Sequence, residues 1–207
     1  MVSQKIAILG SKDLAQYIAE FIASDKNLHL VGFLDDFASP AEHTHSAPLL
    51  GKITEAKSLY SKATFDYLIM GIGYNHMTAR SELFEKLRQE VPFITYIHPT
   101  SWVAPTAKIG KGCFIGPHCV IDQFCQLENN IFMFPGSVLA HNALVQSHCF
   151  FAPRVTLAGN VRIGTSCFLG VGSVLKNDVS IVKETYLGAG AVVVNNIDTP
   201  DIYKGLP

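Results

Sequence analysis

The sequence predicts two parts: a small α/β domain of Rossmann-like order over residues 1–97, then a parallel β-solenoid of hexapeptide repeats over 98–207. Three observations predict them. From Trp102 to about Asn195 a large apolar residue recurs at every sixth position, and four residues after each stands a small or β-branched one. The first hundred residues lack that period and instead alternate short apolar runs with helical periodicity.

The first part is read element by element. Lys5–Gly10 (KIAILG) is an apolar strand, and Asp13–Ser24 carries a helical face in Leu14, Tyr17, Ile18, Phe21 and Ile22. Leu28–Asp36 is a second strand and Phe65–Gly73 a third. A helix over about Met77–Glu90 follows, then a fourth strand over Phe93–Ile97. Strands alternating with helices indicate a parallel sheet. Such sheets bind ligands at the carboxyl ends of their strands. Those ends are Gly10-Ser11-Lys12-Asp13, Asp35-Asp36 and Gly71-Ile72-Gly73-Tyr74-Asn75. The first does not read GxGxxG, so a dinucleotide is rejected, although a helix N-terminus there can still hold an anion. Asp35 and Asp36 either accept hydrogen bonds from a ribose or base imide or form a solvated turn.

The second part is sixteen hexads, with Val103, Ile109, Ile115, Ile121, Leu127, Met133, Leu139 and so on to Val193 as the large column. The small column runs from Ala107 through Cys113, Cys119 and Cys125 to Ala191. One large and one small side chain per hexad point inward, and three hexads close a triangular coil of eighteen residues. Glycine often follows the large residue, as at Gly110, Gly116, Gly164, Gly170 and Gly188, where a sharp corner is expected to need its unusual backbone angles. All five cysteines fall in the small column, which predicts core filling rather than a metal site or disulfide.

A net charge of −1 gives no reason to expect nucleic acid or an anionic membrane as a partner. The apolar run near Met1 is too short for a signal peptide, and no stretch approaches the roughly 20 apolar residues of a membrane span, so a cytoplasmic protein is expected.

The hexad run resembles the hexapeptide-repeat acyltransferases, whose fold is a left-handed parallel β-helix. The whole chain is similar to bacterial nucleotide-amino-sugar N-acetyltransferases and the related sialic acid O-acetyltransferases. The matching segments are ILG near the start, GFLDD at 32–36, GIGYN at 71–75 with Arg80 following, IHPTSWVAPTAKIG at 97–110, SVLAHN at 137–142 and AGNVRIGTSCFLGVGS at 158–173. The resemblance implies a first domain that holds a nucleotide-linked sugar, with Gly10, Ser11, Lys12, Asp35, Asp36, Gly73 and Asn75 as its candidate contacts. It also implies a homotrimer, with acetyl-CoA lying between neighbouring β-helices and no metal.

Eight histidines compete for a catalytic role. His29 lies in a strand, His43 and His45 share a polar loop with HxH spacing, His76 precedes a helix, and His98 lies between the domains. His118, His141 and His148 lie on the solenoid. His141 falls near a corner and points outward, with Gly159 eighteen residues later and therefore one coil up, about 5 Å away at the strand spacing. The resemblance implies that His141 is the general base and that the Gly159 N–H donates to the thioester carbonyl. One departure stands out. Where the family usually carries Glu or Asp, and sometimes a second histidine nine residues on, this chain has Asn142 and Phe150. Asn142 can orient the ring but supplies no charge, so a weaker base or a partner from another loop is expected. Pro153, Val171 and Ala189 share one column, and the resemblance implies that the backbone at Val171 and Ala189, flanked by Gly188 and Gly190, contacts the pantetheine.

The predicted activity is acetyl transfer from acetyl-CoA to the amino group of a nucleotide-linked amino sugar. The rivals are O-acetylation of a sialic acid-type sugar, a zinc-binding trimer resembling carbonic anhydrases, and a non-catalytic scaffold. The zinc reading needs histidines in register, and His118 and His141 are 23 residues apart rather than a multiple of eighteen.

Overall fold

The computed structural model describes residues 3–38 and 47–206. The chain divides into two compact units, Met1–Ile94 and Thr95–Pro207.

In the first unit β1 (Gln4–Leu9), β2 (Leu28–Leu34), β3 (Leu49–Gly51) and β4 (Tyr67–Met70) pair in parallel in the order β3-β2-β1-β4. Helix α1 (Asp13–Ser24) joins β1 to β2, α2 (Ala56–Ser61) lies between β3 and β4, and α3 (Met77–Leu87) follows β4. Ile6–Leu9 of β1 is wholly buried, as a central strand of a parallel sheet must be. Helix α1 buries Ala15, Ile18, Ala19 and Ile22, spaced for one helical face, while Leu14, Tyr17 and Phe21 are only half-buried. The expected fourth strand splits. Phe93 bridges Leu68 within this unit, whereas Tyr96–Ile97 pairs with Phe114–Ile115 and is the first strand of the next.

The second unit is a left-handed β-helix. Two-residue strands recur every six residues from Trp102–Val103 to Val192–Val193, and each as far as Val174–Leu175 is paired in parallel with the strand eighteen residues on. The period ends at the last turn, where Ile202–Tyr203 pairs with Tyr186–Leu187, sixteen residues back. The inward columns form one continuous core from Cys113 to Ile197.

The structure corrects the expected role of the repeat glycines. Gly110, Gly116, Gly164, Gly170 and Gly188 are absent from the residues of positive φ. Their constraint is the close approach of the next coil: a Cβ on Gly110 would meet Glu128 O at 2.6 Å, and one on Gly164 would meet Lys183 N at 2.3 Å. The left-handed corner lies two residues further on. It is filled by Gly112, Gly136, Gly172 and Gly190, by Asn130, Asn142, Asn160, Asp178, His118 and His148, and also by Phe124, Arg154, Ser166 and Glu184. Asn, Asp and His are the side chains that tolerate that region best.

The five cysteines are free and fully buried. Each thiol donates to the carbonyl fifteen residues later, Cys113 to Glu128, Cys119 to Phe134, Cys125 to Ala140, Cys149 to Gly164 and Cys167 to Val182, at 3.1–3.3 Å. Ser101, at the same position in its hexad, bonds Gly116 O in the same way. Where the column carries a thiol, the site thus offers a carbonyl to it, while Ala, Val and Ile fill other positions of the same column. Burial pushes the thiols of Cys119, Cys125 and Cys149 up, which suits inert core filling.

Candidate active site

The coil has three edges, and their corner N–H groups meet different fates. On the edge of Ser147 side chains stitch them. Lys111 N–H donates to Asn129 Oδ1, Asn129 N–H to Ser147 Oγ, Ser147 N–H to Glu128 Oε2 and Thr165 N–H to Gln146 Oε1. The second edge carries Pro117, Pro135 and Pro153, which have no N–H, and then opens at Val171 and Ala189. The third carries His141, Gly159 and Asn177. Among the described residues, the N–H groups of His141, Gly159, Asn177, Val171 and Ala189 have no hydrogen-bond partner; Lys183, at the top of the stitched edge, shares this. Donors left open on two edges are what a ligand with carbonyl acceptors requires.

His141, Asn142 and Gly159 come together as expected. His141 and Asn142 are exposed in one turn, and Asn142 Nδ2 lies 3.0 Å from His141 Nδ1. Asn142 has φ 60, so its amide turns back over the ring. The ring lies against Gly159: a Cβ there would stand 2.6 Å from His141 Cε1 and 2.7 Å from Nε2. Gly159 is thus glycine because the imidazole occupies its side-chain space. Asn160 N–H donates to His141 O at 3.0 Å and locks the two coils in register.

Val171 and Ala189 share the proline-rich edge, a different edge from His141, so a single chain does not assemble them with it. Gly190 has φ 68 and open space at its Cβ position. Gly188 is accounted for by its own chain, since a Cβ would meet Lys204 Cγ at 3.1 Å and Tyr203 O at 3.3 Å.

The other histidines are dispersed. His148 is buried, with Nδ1 3.0 Å from Asn130 Nδ2, so it is committed to its own edge. His98 bonds Thr100 through Nδ1, and burial together with the nearby His118 holds it below the ordinary imidazole range. His29 is exposed on β2, and His76 stands at the N-cap of α3. His43 and His45 lie outside the described residues. Among the described residues no group of three or more His, Cys, Asp and Glu side chains could hold a metal.

At the carboxyl end of the first unit's strands, Gly10 (φ 87) abuts the chain at Gly71: its Cβ position lies 3.4 Å from Gly71 O. Ser11 Oγ donates to Asp35 Oδ2 at 2.7 Å, and Phe37 N–H to Asp35 Oδ1 at 2.8 Å. Asp35 is therefore a buried brace of this end, neither a solvated turn nor a carboxylate with an unengaged oxygen. Burial alone would raise its carboxyl, but the hydrogen bonds from Ser11, Phe37 and Ala38 outweigh it and hold the group below its ordinary value. Exposed Asp36 accepts from Ile53 N–H through Oδ1. Lys12 and Asn75 are exposed, and half-buried Gly73 stands beside Leu14. Buried Arg80 donates from Nη1 to Ile72 O at 2.9 Å and so fixes the 71–75 segment. A hollow of about 380 Å³ lined by Gln4, Tyr60, Asp66, Tyr67 and Pro92 lies at the other end of the sheet, at the amino ends of β1 and β4.

Ser11→Ala tests the brace. It leaves Asp35 Oδ2 buried and unpaired, at a cost of about 1–3 kcal/mol at neutral pH. Because the folded carboxyl is depressed, its contribution is present above the ordinary carboxylate value and fades as pH falls through the folded one. Thermal unfolding is expected to show a gap between variant and parent at pH 7 that narrows below about pH 4.

Sequence reasoning missed Asn177, which stands over Gly159 with Nδ2 3.2 Å from the Cβ position; the eighteen-residue spacing from Gly159 was the available signal. Arg80 was singled out with the GIGYN segment, but its bracing bond to Ile72 O left no mark in the sequence.

Residues 5–87 match the family described as PglD N-terminal domain, and residues 94–197 that described as GMPPB C-terminal domain. PerB from Caulobacter crescentus, solved in complex with CoA and GDP-perosamine, is 26% identical with a TM-score of 0.88, over 98% of this chain and 95% of that one. The acetyltransferase domain of PglB from Neisseria gonorrhoeae FA1090, solved with acetyl coenzyme A, is 23% identical with a TM-score of 0.88, over 98% and 97%. WeeI from Acinetobacter baumannii AYE is 19% identical with a TM-score of 0.83, over 97% and 96%. No curated protein matches the chain by sequence. With half its length in the second of these domain families, most of the rest in the first, and PerB matched over nearly the whole of both chains, the chain belongs to the nucleotide-sugar N-acetyltransferases that join a PglD N-terminal domain to a hexapeptide-repeat domain.

Proposed function

We propose that the protein transfers the acetyl group of acetyl-CoA to the amine of a nucleotide-linked amino sugar, with His141 as general base. The observation that carries this reading is the His141 ring seated against Gly159, whose N–H has no partner among the described residues. The acceptor nitrogen attacks the thioester carbonyl carbon and gives its proton to His141 Nε2. The oxyanion takes the Gly159 N–H, the C–S bond breaks, and the proton passes to the departing thiolate. For Nε2 to accept, the ring must carry its proton on Nδ1; in the structure Asn142 Nδ2, a donor only, faces Nδ1 at 3.0 Å, so this role requires the amide to turn and present Oδ1 as the acceptor. The relatives PerB and PglB, solved with GDP-perosamine and CoA and with acetyl coenzyme A, support donor and acceptor class.

A trimer completes the site in this reading. The outward column Trp102, Val120, Val138, Thr156, Val174 and Val192 is apolar, with Trp102 51% and Val174 40% exposed, whereas the column Lys108, Gln126, Leu144, Arg162 and Ser180 is mostly polar. Burying the apolar face against a second copy brings the His141 edge of one protomer to the Val171 and Ala189 edge of the next, and acetyl-CoA lies between them. The first unit holds the nucleotide at Gly10–Lys12, Asp36 and Gly73–Asn75, with Asp35 shaping that end from behind. Acetyl-CoA as donor places the reaction in the cytoplasm; among the described residues no helix is long and apolar enough to cross a membrane.

The test is thiol release from acetyl-CoA with UDP-, dTDP- and GDP-linked amino sugars, and with sialic acid as the hydroxyl control. Turnover on a nucleotide amino sugar is expected. Turnover on sialic acid alone makes the protein an O-acetyltransferase, and no turnover on any of them overturns the reading. Asn142→Asp adds the negative charge that stabilises an imidazolium, and kcat is expected to rise several-fold in the same assay. A fall would show that the neutral amide is itself required.

A further inference from the structure

Asn177 stands one coil above Gly159, on the edge that carries His141. Its Nδ2 and the His141 ring approach the same point from opposite sides, lying 3.2 Å and 2.6–2.7 Å from the position of a Cβ on Gly159. The side chain is exposed and has no hydrogen-bond partner among the described residues. Its neighbours behave differently: Asn160 Nδ2 donates to Asp178 Oδ1 at 2.9 Å, and Asn129 Oδ1 accepts from Lys111 N–H. Those two amides are spent on the ladder, whereas Asn177 holds its two amide hydrogens beside the Cβ position of Gly159, against which the His141 ring is also seated.

We propose that Asn177 is a second donor to the acyl carbonyl, paired with the Gly159 N–H in one oxyanion site. The inference rests on the His141 reading above and adds to it a residue with a distinct chemical signature. The carbonyl oxygen of a thioester has two lone pairs. Gly159 N–H takes one and Asn177 Nδ2 the other, and both bonds strengthen as negative charge gathers on oxygen during attack. An oxyanion site with one side-chain amide also tells acetyl-CoA from CoA, because free CoA has no carbonyl at that point.

Binding of acetyl-CoA and of CoA to the full-length protein, measured by calorimetry for the parent, Asn177→Ala and Asn177→Asp, tests this. Asn177→Ala is expected to weaken acetyl-CoA about fivefold and CoA less than twofold. Asn177→Asp keeps the shape but replaces a donor with a carboxylate, so its loss for acetyl-CoA is expected to exceed that of Asn177→Ala. Equal loss of both ligands, or acetyl-CoA binding within twofold of the parent in both variants, overturns the proposal. His141→Ala turnover separates the two readings. If that variant is inactive while the Asn177 variants match the parent, Asn177 alone is excluded. If His141→Ala stays active, or the parent binds no acetyl-CoA, the site reading fails and this inference with it. Asn177 is an exposed turn residue, and unchanged melting temperatures confirm that the variants are folded.

Discussion

His141→Ala is expected to lower kcat/KM by roughly 10²–10⁴-fold, the usual worth of a positioned general base, with no loss of fold. The acceptor amine must lose a proton as it attacks, and His141 is the titratable side chain that touches Gly159. The effect should fall mainly on kcat, since the ring supplies proton transfer while the open N–H groups of Val171 and Ala189 remain to hold the donor. The fold should survive because His141 is exposed and its structural bond runs from Asn160 N–H to its backbone carbonyl, which alanine retains. Initial rates of thiol release beside a thermal melt check both halves. Activity within a few-fold of the parent would remove His141 from the mechanism.

What the sequence made legible follows from how local each constraint is. The solenoid was legible because a stack of identical coils imposes one period on every residue, and Ile115, Met133, Phe151, Leu169 and Leu187 fall in one buried column as that period requires. His141 and Gly159 could be paired from the same arithmetic. The reason for the glycines could not, because the period marks where a glycine falls and not whether φ or the neighbouring coil demands it. Gly164 is set by Lys183 on the next coil, a contact between residues far apart in sequence. In the first unit β3 is three residues long, too short to show alternation, and its place beside β2 is set by pairing alone. Asp35 read as either a ligand contact or a solvated turn, and the Ser11 hydroxyl that braces it joins the ends of two different strands, a contact that no local pattern marks.

Gly159→Ala is expected to cost about 10²-fold in kcat, because a displacement on the order of 1 Å at a reacting group carries that penalty. The added methyl would stand 2.6 Å from His141 Cε1 and 2.7 Å from Nε2, closer than carbon and nitrogen approach, so the ring must move. The backbone N–H remains, so that donor is kept while the ring is displaced; the methyl also stands 3.2 Å from Asn177 Nδ2, a looser contact than that with the ring. Backbone strain does not confound it: Gly159 is not among the residues of positive φ, and alanine adopts its conformation freely. Gly136→Ala is the matching control. Gly136 has φ 74 and meets only Arg154 Cγ at 3.4 Å, so alanine there is strained by roughly 1 kcal/mol without displacing the imidazole. The two variants should divide cleanly, Gly136→Ala lowering the melting temperature and sparing kcat, and Gly159→Ala doing the reverse. Were Gly159→Ala fully active, the imidazole could work from a second position, and its contact with Gly159 would be packing rather than catalytic alignment.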